Sequence, residues 1–174
     1  IQGTKLNSNG PLLITHWGMS GPAILKLSSF GARELNERNY DFNVQISWVN
    51  EKKHELIFEQ IEQIIEKNPK KAISNIKAFG LPERLWLFLL KKANISSSKR
   101  LEDLGKKAIN KLTSTLCNDT YQVKGKTTFK EEFVTCGGIS LDDIDFNTMQ
   151  SKVCDNLYFA GEILDIDAIT GGYN

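Results

Sequence analysis

Nothing in this chain stays apolar for long. No uninterrupted run approaches the roughly 20 residues that cross a bilayer, and no signal-peptide pattern opens the sequence. No membrane partner is therefore expected, and the expected location is the cytoplasm. Cysteine is sparse: Cys117, Cys136 and Cys154 are odd in number, far apart and without CxxC spacing, which excludes a disulfide framework or a zinc ribbon. They read as buried free thiols in a reducing compartment. With only His16 and His54 there is no histidine cluster either, and no metal site is expected. The net charge of +1 excludes an overall polycation. What remains is ordinary globular composition, 40% apolar and 25% charged, in a length that suits one domain or two small ones.

The near-neutral total hides an asymmetry. Residues 52–111 carry fourteen Lys/Arg against seven Asp/Glu, whereas the flanks are acidic. A segment so different from both neighbours reads as an insertion. Its periodicity also changes. Before it, Leu12–His16 reads as a strand and Trp17–Pro22 as a glycine-rich turn. Pro22 then opens a helix through Ile24, Leu27, Gly31 and Leu35. Phe42, Val44, Ile46 and Trp48 alternate as one face of a strand. Inside it, Leu56, Ile57, Ile61, Ile64 and Ile65 form a helical stripe. A second helix is expected from Pro69 towards Phe79. A third, too apolar all round to be solvated, covers 83–93. A fourth runs through Leu101, Leu104, Ala108, Ile109 and Leu112. Strand patterns return at Tyr121–Gly125, Glu132–Thr135 and Asn156–Ala160.

The expected fold class is α+β. A sheet domain (residues 1–51 and 119–155) is interrupted by a small all-helical subdomain (52–118).

Three sequence blocks carry a family resemblance. The first is Gly10-Pro11-Leu12-Leu13-Ile14-Thr15-His16-Trp17-Gly18-Met19-Ser20-Gly21-Pro22. The second is Glu132-Phe133-Val134-Thr135-Cys136-Gly137-Gly138-Ile139, with Thr148-Met149-Gln150-Ser151-Lys152 after it. The third runs from Leu157-Tyr158-Phe159-Ala160-Gly161-Glu162 to Gly171-Gly172-Tyr173-Asn174. In this order and spacing the chain resembles the aminoacetone-oxidase-like FAD-dependent flavoproteins, a group of NAD(P)/FAD-dependent oxidoreductases. The resemblance implies a Rossmann-type FAD domain into which the sheet domain is inserted as a β-barrel-like antiparallel domain, and the helical subdomain within that. Residues 156–174 would then be the edge of the FAD domain.

The Gly-x-Gly-x-x-Gly fingerprint that holds a dinucleotide pyrophosphate is absent from these residues. The expectation is that an N-terminal FAD domain of the same polypeptide supplies it, and that these residues alone bind FAD weakly or not at all and are inactive. In the intact protein FAD would mediate hydride transfer between a small-molecule substrate and, in one option, NAD(P)H.

The resemblance implies a cofactor role for Gly161, Glu162, Asp165, Thr170, Gly171, Gly172, Tyr173 and Asn174. A strand-terminal glycine lets backbone approach a ligand, an adjacent carboxylate accepts hydroxyl hydrogen bonds, and a Gly-Gly turn entering a helix presents N–H groups. Asp165 and Asp167 supply too few oxygen donors for a divalent cation. The catalytic residues are not identified; His16, Gly137 and Gly138 are candidates, His16 as a proton relay and the glycines as a close approach to the flavin ring. The basic helical segment offers an alternative from another class, a nucleic-acid-binding module. Nucleic acid is disfavoured as a partner because Glu55, Glu59, Glu62 and Glu66 are expected to neutralise the lysines.

Overall fold

The computed structural model describes residues 1–51, 53–126 and 135–167. They divide into two compact units, Ile1–Phe42 with Gln122–Asn174, and Asn43–Tyr121. The architecture is α+β.

In the first unit, β1 (Leu13–Ile14) and β2 (Met19–Ser20) form an antiparallel hairpin. Helix α1 (Pro22–Phe30) starts with proline at its first position and gives way at Gly31 to α2 (Ala32–Glu37). Gly21 is required at the entry to α1. Its φ is 96°, and a Cβ there would lie 3.0 Å from both the Leu13 nitrogen and the Pro11 oxygen, so neither the conformation nor the space suits another residue.

Strand β3 (Asp41–Ile46) pairs with β4 (Asp119–Lys124), and β5 (Ile144–Asp145) pairs antiparallel with β6 (Gln150–Ser151). The alternation seen in the sequence is real along β3, where Val44 and Ile46 are buried and their neighbours exposed. Trp48 lies beyond the strand end. The barrel-like sheet expected from the sequence does not close among the described residues, which hold three two-stranded sheets. Four of the six strands are only two residues long. The strand expected at 132–135 lies, apart from Thr135, outside the described residues. Asn156–Ala160 is not a regular strand: Tyr158 makes an isolated antiparallel bridge to Gln150.

The second unit is built on α3 (His54–Lys67), α4 (Glu83–Lys92) and α5 (Lys106–Cys117). Ile57 and Ile61 of α3, Trp86, Leu89 and Leu90 of α4, and Ile109, Leu112 and Leu116 of α5 share one apolar core. On α5 these residues, with buried Thr113, recur at three- and four-residue intervals on one face. Leu56 departs from the expected stripe and is exposed, as is Phe88 on α4. His54 is half-buried, its ring stacked on Phe58. Leu101 and Leu104 precede α5 in a 3₁₀ turn and link.

The helix expected over 69–79 is replaced by a single 3₁₀ turn, Ile73–Asn75. Its amides are engaged elsewhere. Ile73 N–H donates to the Lys99 carbonyl (2.9 Å) and Ser74 N–H to that of Ser97 (3.2 Å), while the Ile73 carbonyl accepts from Trp86 Nε1 (3.0 Å). Cross-chain partners of this kind outcompete a local helical ladder. Cysteine placement also departs from expectation: Cys117 is buried, but Cys136 and Cys154 are exposed. No helix among the described residues is long and apolar enough to cross a membrane.

Candidate functional site

The first unit brings two glycine-containing turns side by side. Gly137 has φ 99°, and Gly138 follows it into a segment that lies against residues 163–165. Ile139 N–H donates to the Ile163 carbonyl (2.9 Å), Asp165 N–H donates back to the Ile139 carbonyl (3.0 Å), and Ile139 and Leu164 form a parallel bridge. The approach is close because Gly138 has no side chain. A Cβ there would lie 2.5 Å from the Ile163 oxygen and 2.7 Å from the Asp165 nitrogen. The opposing segment begins with the 3₁₀ turn Gly161–Ile163, where Gly161 has φ 78°. Gly137 and Gly161 differ from Gly138 in having no atom of the described residues within 4 Å of a Cβ position. No described residue crowds their backbone, whereas Gly138 is packed.

One cation locks this arrangement. Arg33 of α2 pairs with Asp165 and, at 3.4 Å, with Asp167. The hydrogen bond that Arg33 donates to Asp165, then the charges of Asp165 and Asp167, raise the Arg33 pKa further. Cys136 adjoins the same group. Its thiol pKa is raised by desolvation, then by the hydrogen bond and charge of Asp167, against an opposing effect of Arg33. Leu164 is buried beneath the turn, while Glu162 is exposed. Gly138 and Ile139 thus pack against Ile163–Asp165, the residues that follow Gly161 and Glu162 in the chain.

Other candidates lie elsewhere. His16 is exposed in the β1–β2 turn, edge-on to Trp17 at 6.0 Å. Among the described residues no hydrogen bond or ring contact ties it to either glycine turn. Thr170, Gly171, Gly172, Tyr173 and Asn174 lie outside the described residues. Arg33 was not singled out from sequence, because it sits 132 positions from Asp165 and no local pattern links them.

The second unit has a polar centre of its own. Asp119, 3% exposed, accepts from Trp48 Nε1 (2.9 Å) and Tyr121 Oη (2.5 Å) and pairs with Lys92. The Lys92 ammonium also sits 3.7 Å from the centre of the Tyr121 ring. Desolvation, then the hydrogen bond and charge of Asp119, raise the Tyr121 pKa well above that of a free phenol. Every donor here faces inward to one carboxylate, so the cluster braces the end of α5 against Trp48. Elsewhere in this unit the expected neutralisation is missing. Among the described residues no lysine or arginine lies within 4 Å of a carboxylate of Glu55, Glu59, Glu62 or Glu66.

Comparison with known proteins decides the family. Residues 2–134 match the family described as HI0933-like protein barrel and H2TH domain. The chain belongs to the HI0933-like family. It is 30% identical over 174 residues to the ribosomal RNA dihydrouridine synthase of Escherichia coli, covering 99% of this chain and 40% of that protein. It is 28% identical to the protein of the same name from Haemophilus influenzae, over 94% of this chain and 38% of the relative. The 3-dehydro-bile acid delta(4,6)-reductase of Clostridium scindens is 24% identical over 95% of this chain and 40% of its own length. The chain therefore spans about two fifths of the length of the curated relatives it matches.

Family membership supports the flavoprotein-like oxidoreductase origin expected from the three sequence blocks. It does so at that level only: none of these names is an aminoacetone oxidase.

Proposed function

We propose that this chain is the substrate-side part of an FAD-dependent reductase whose substrate is a uracil ring in ribosomal RNA. The observation that carries the cofactor half of this reading is the pair of turns at Gly137 and Gly161. Both have positive φ, and at neither does any described residue occupy the place where a side chain would stand. Among the described residues nothing obstructs the approach of a flat ligand to that backbone, which fits a flavin edge. The substrate half rests on the names of the two relatives at 30% and 28% identity.

In this reading Gly137 and Gly161 permit close approach, and the exposed Glu162 carboxylate accepts a hydroxyl hydrogen bond from the cofactor's sugar or ribityl chain. Arg33 holds Asp165 and Asp167, fixing the turn that carries Glu162. The Gly171-Gly172 turn would present N–H groups to the pyrimidine edge. When bound, reduced FAD would supply the hydride, with NAD(P)H as the source of electrons. The chain's own residues would bind, orient and exclude water. The residues bearing the glycine-rich fingerprint would come from the rest of the polypeptide, and the isolated 174 residues would be inactive.

The test uses the complete polypeptide containing these residues. It is purified, checked for FAD absorbance and reduced anaerobically with NAD(P)H. It is then mixed with unmodified ribosomal RNA, and digested nucleosides are weighed for the gain of two hydrogens on uridine. Reoxidation of the flavin with formation of dihydrouridine is expected. Flavin that ignores RNA but is reoxidised by a steroid-like enone, or reduced by an amine, would refute the proposed substrate.

A further inference from the structure

We infer that the paired loops 69–76 and 97–102 of the helical unit form a face that grips the sugar-phosphate backbone of a folded RNA. This rests on the RNA reading above and deepens it by naming a surface that would hold the substrate.

Backbone pairing, and not charge alone, joins the two loops. Besides the bonds from Ile73 and Ser74, Leu101 N–H donates to the Lys71 carbonyl (3.0 Å) and Glu102 N–H to that of Pro69 (2.9 Å). Ala72 and Arg100 form an antiparallel bridge. The ladder sets Lys70 and Lys71 beside Lys99 and Arg100, all four exposed. Antiparallel partners lie about 5 Å apart at Cα, so these cations share a region comparable to the Debye length of about 8 Å at physiological salt. Mutual repulsion among them goes largely uncompensated within the chain. Arg100 has Glu102 at 3.7 Å, and among the described residues Lys70, Lys71 and Lys99 have no carboxylate within 4 Å. From 67 to 111 there are twelve basic residues and three acidic ones.

The face is also preorganised. Ile73 and Leu101, each 2% exposed, anchor the two loops in the core, and the Trp86 indole holds the Ile73 carbonyl. Ser96 and Ser98, whose hydroxyl oxygens are 3.0 Å apart, add exposed donors suited to phosphate oxygens. Neither loop exposes an aromatic ring on which a base could stack, so contact with the backbone of a structured RNA is favoured over reading of unpaired bases. The loops carry none of the large exposed apolar residues either, which argues against insertion into a membrane surface.

The experiment measures binding of the complete polypeptide to a fluorescently labelled ribosomal RNA hairpin across a salt series. Two double variants, K70Q/K71Q and K99Q/R100Q, are compared with wild type and with K26Q/K124Q, which alters cations of the other unit. Each loop variant should weaken binding several-fold near 100 mM salt. Each should also flatten the slope of log affinity against log salt by about 1.5, at roughly 0.7–0.9 per lost phosphate contact. NAD(P)H-driven flavin reduction and thermal melting should not change, and K26Q/K124Q should behave as wild type. Unchanged slopes in both loop variants would overturn the inference. So would wild-type protein that binds anionic vesicles but no RNA at low salt. RNA binding lost in the loop variants, with no dihydrouridine formed by wild type, would uphold the surface and defeat the reductase reading.

Discussion

Replacing Asp119 by alanine should destabilise the helical unit by about 3 kcal/mol, for reasons legible atom by atom. The carboxylate is almost fully buried and serves Trp48 Nε1, the Tyr121 hydroxyl and the Lys92 ammonium together. Removing it strands two donors, each at a cost of about 1–3 kcal/mol if water cannot reach it. Trp48 and Tyr121 are only half-buried, so the lower part of that range applies to each. Lys92 is 34% exposed and can turn to solvent, which keeps its contribution below the 3–5 kcal/mol of a fully buried broken pair. Asp119→Asn preserves shape and one acceptor oxygen and should lose about half as much. Urea denaturation monitored by tryptophan fluorescence is the suitable assay, because Trp48 and Trp86 both report on this unit. A double-mutant cycle with Lys92→Met should return a coupling of about 1 kcal/mol, the size appropriate to a partly exposed partner. If Asp119→Ala shifts stability by less than about 1 kcal/mol with an unchanged denaturant slope, the cluster is not a structural brace and the reasoning fails.

Gly138→Ala should part the two glycine turns, since a Cβ would meet the Ile163 and Leu164 backbone at 2.5 Å. Two hydrogen bonds at about 1 kcal/mol each and an overpacking cost of about 1–3 kcal/mol are at stake. Hydrogen exchange at the Ile139 and Asp165 amides should accelerate at least tenfold; native-like protection would contradict the packing described. The raised Tyr121 pKa predicts an alkaline effect. The fold favours the neutral phenol, so its contribution is complete below the ordinary phenol pKa of about 10. It is lost as pH rises above that value. Wild-type stability should therefore fall more steeply above pH 10 than that of Tyr121→Phe in urea titrations; parallel curves would be evidence against the desolvated phenol.

The helical unit and the site were legible in the sequence to different degrees. Helices α3, α4 and α5 could be read because their apolar spacing is a local property, written within one or two turns. The same local reading failed at 69–79, whose sequence is compatible with a helix but whose amides bond to 97–99. The lysines of the basic segment were expected to be neutralised by glutamates nearby in sequence, whereas those glutamates lie on α3 without ionic partners among the described residues. At the candidate site, the sequence blocks identified Gly137, Gly138, Gly161, Glu162 and Asp165 by resemblance, without showing that they meet.

The sequence alone determined which segments could be helices, where glycine would be needed, and a resemblance at the level of flavoprotein-like oxidoreductases, because composition, period and motif are one-dimensional. Tertiary structure decided what no spacing encodes. It brought Gly138 against Ile163–Asp165, gave Arg33 its two carboxylates from the far end of the chain, and set Lys70 and Lys71 beside Lys99 and Arg100. Each of these depends on backbone amides and side chains choosing partners dozens of residues away. That choice is fixed by core packing and by the need to satisfy buried polar groups, and it has no signature in the neighbouring residues.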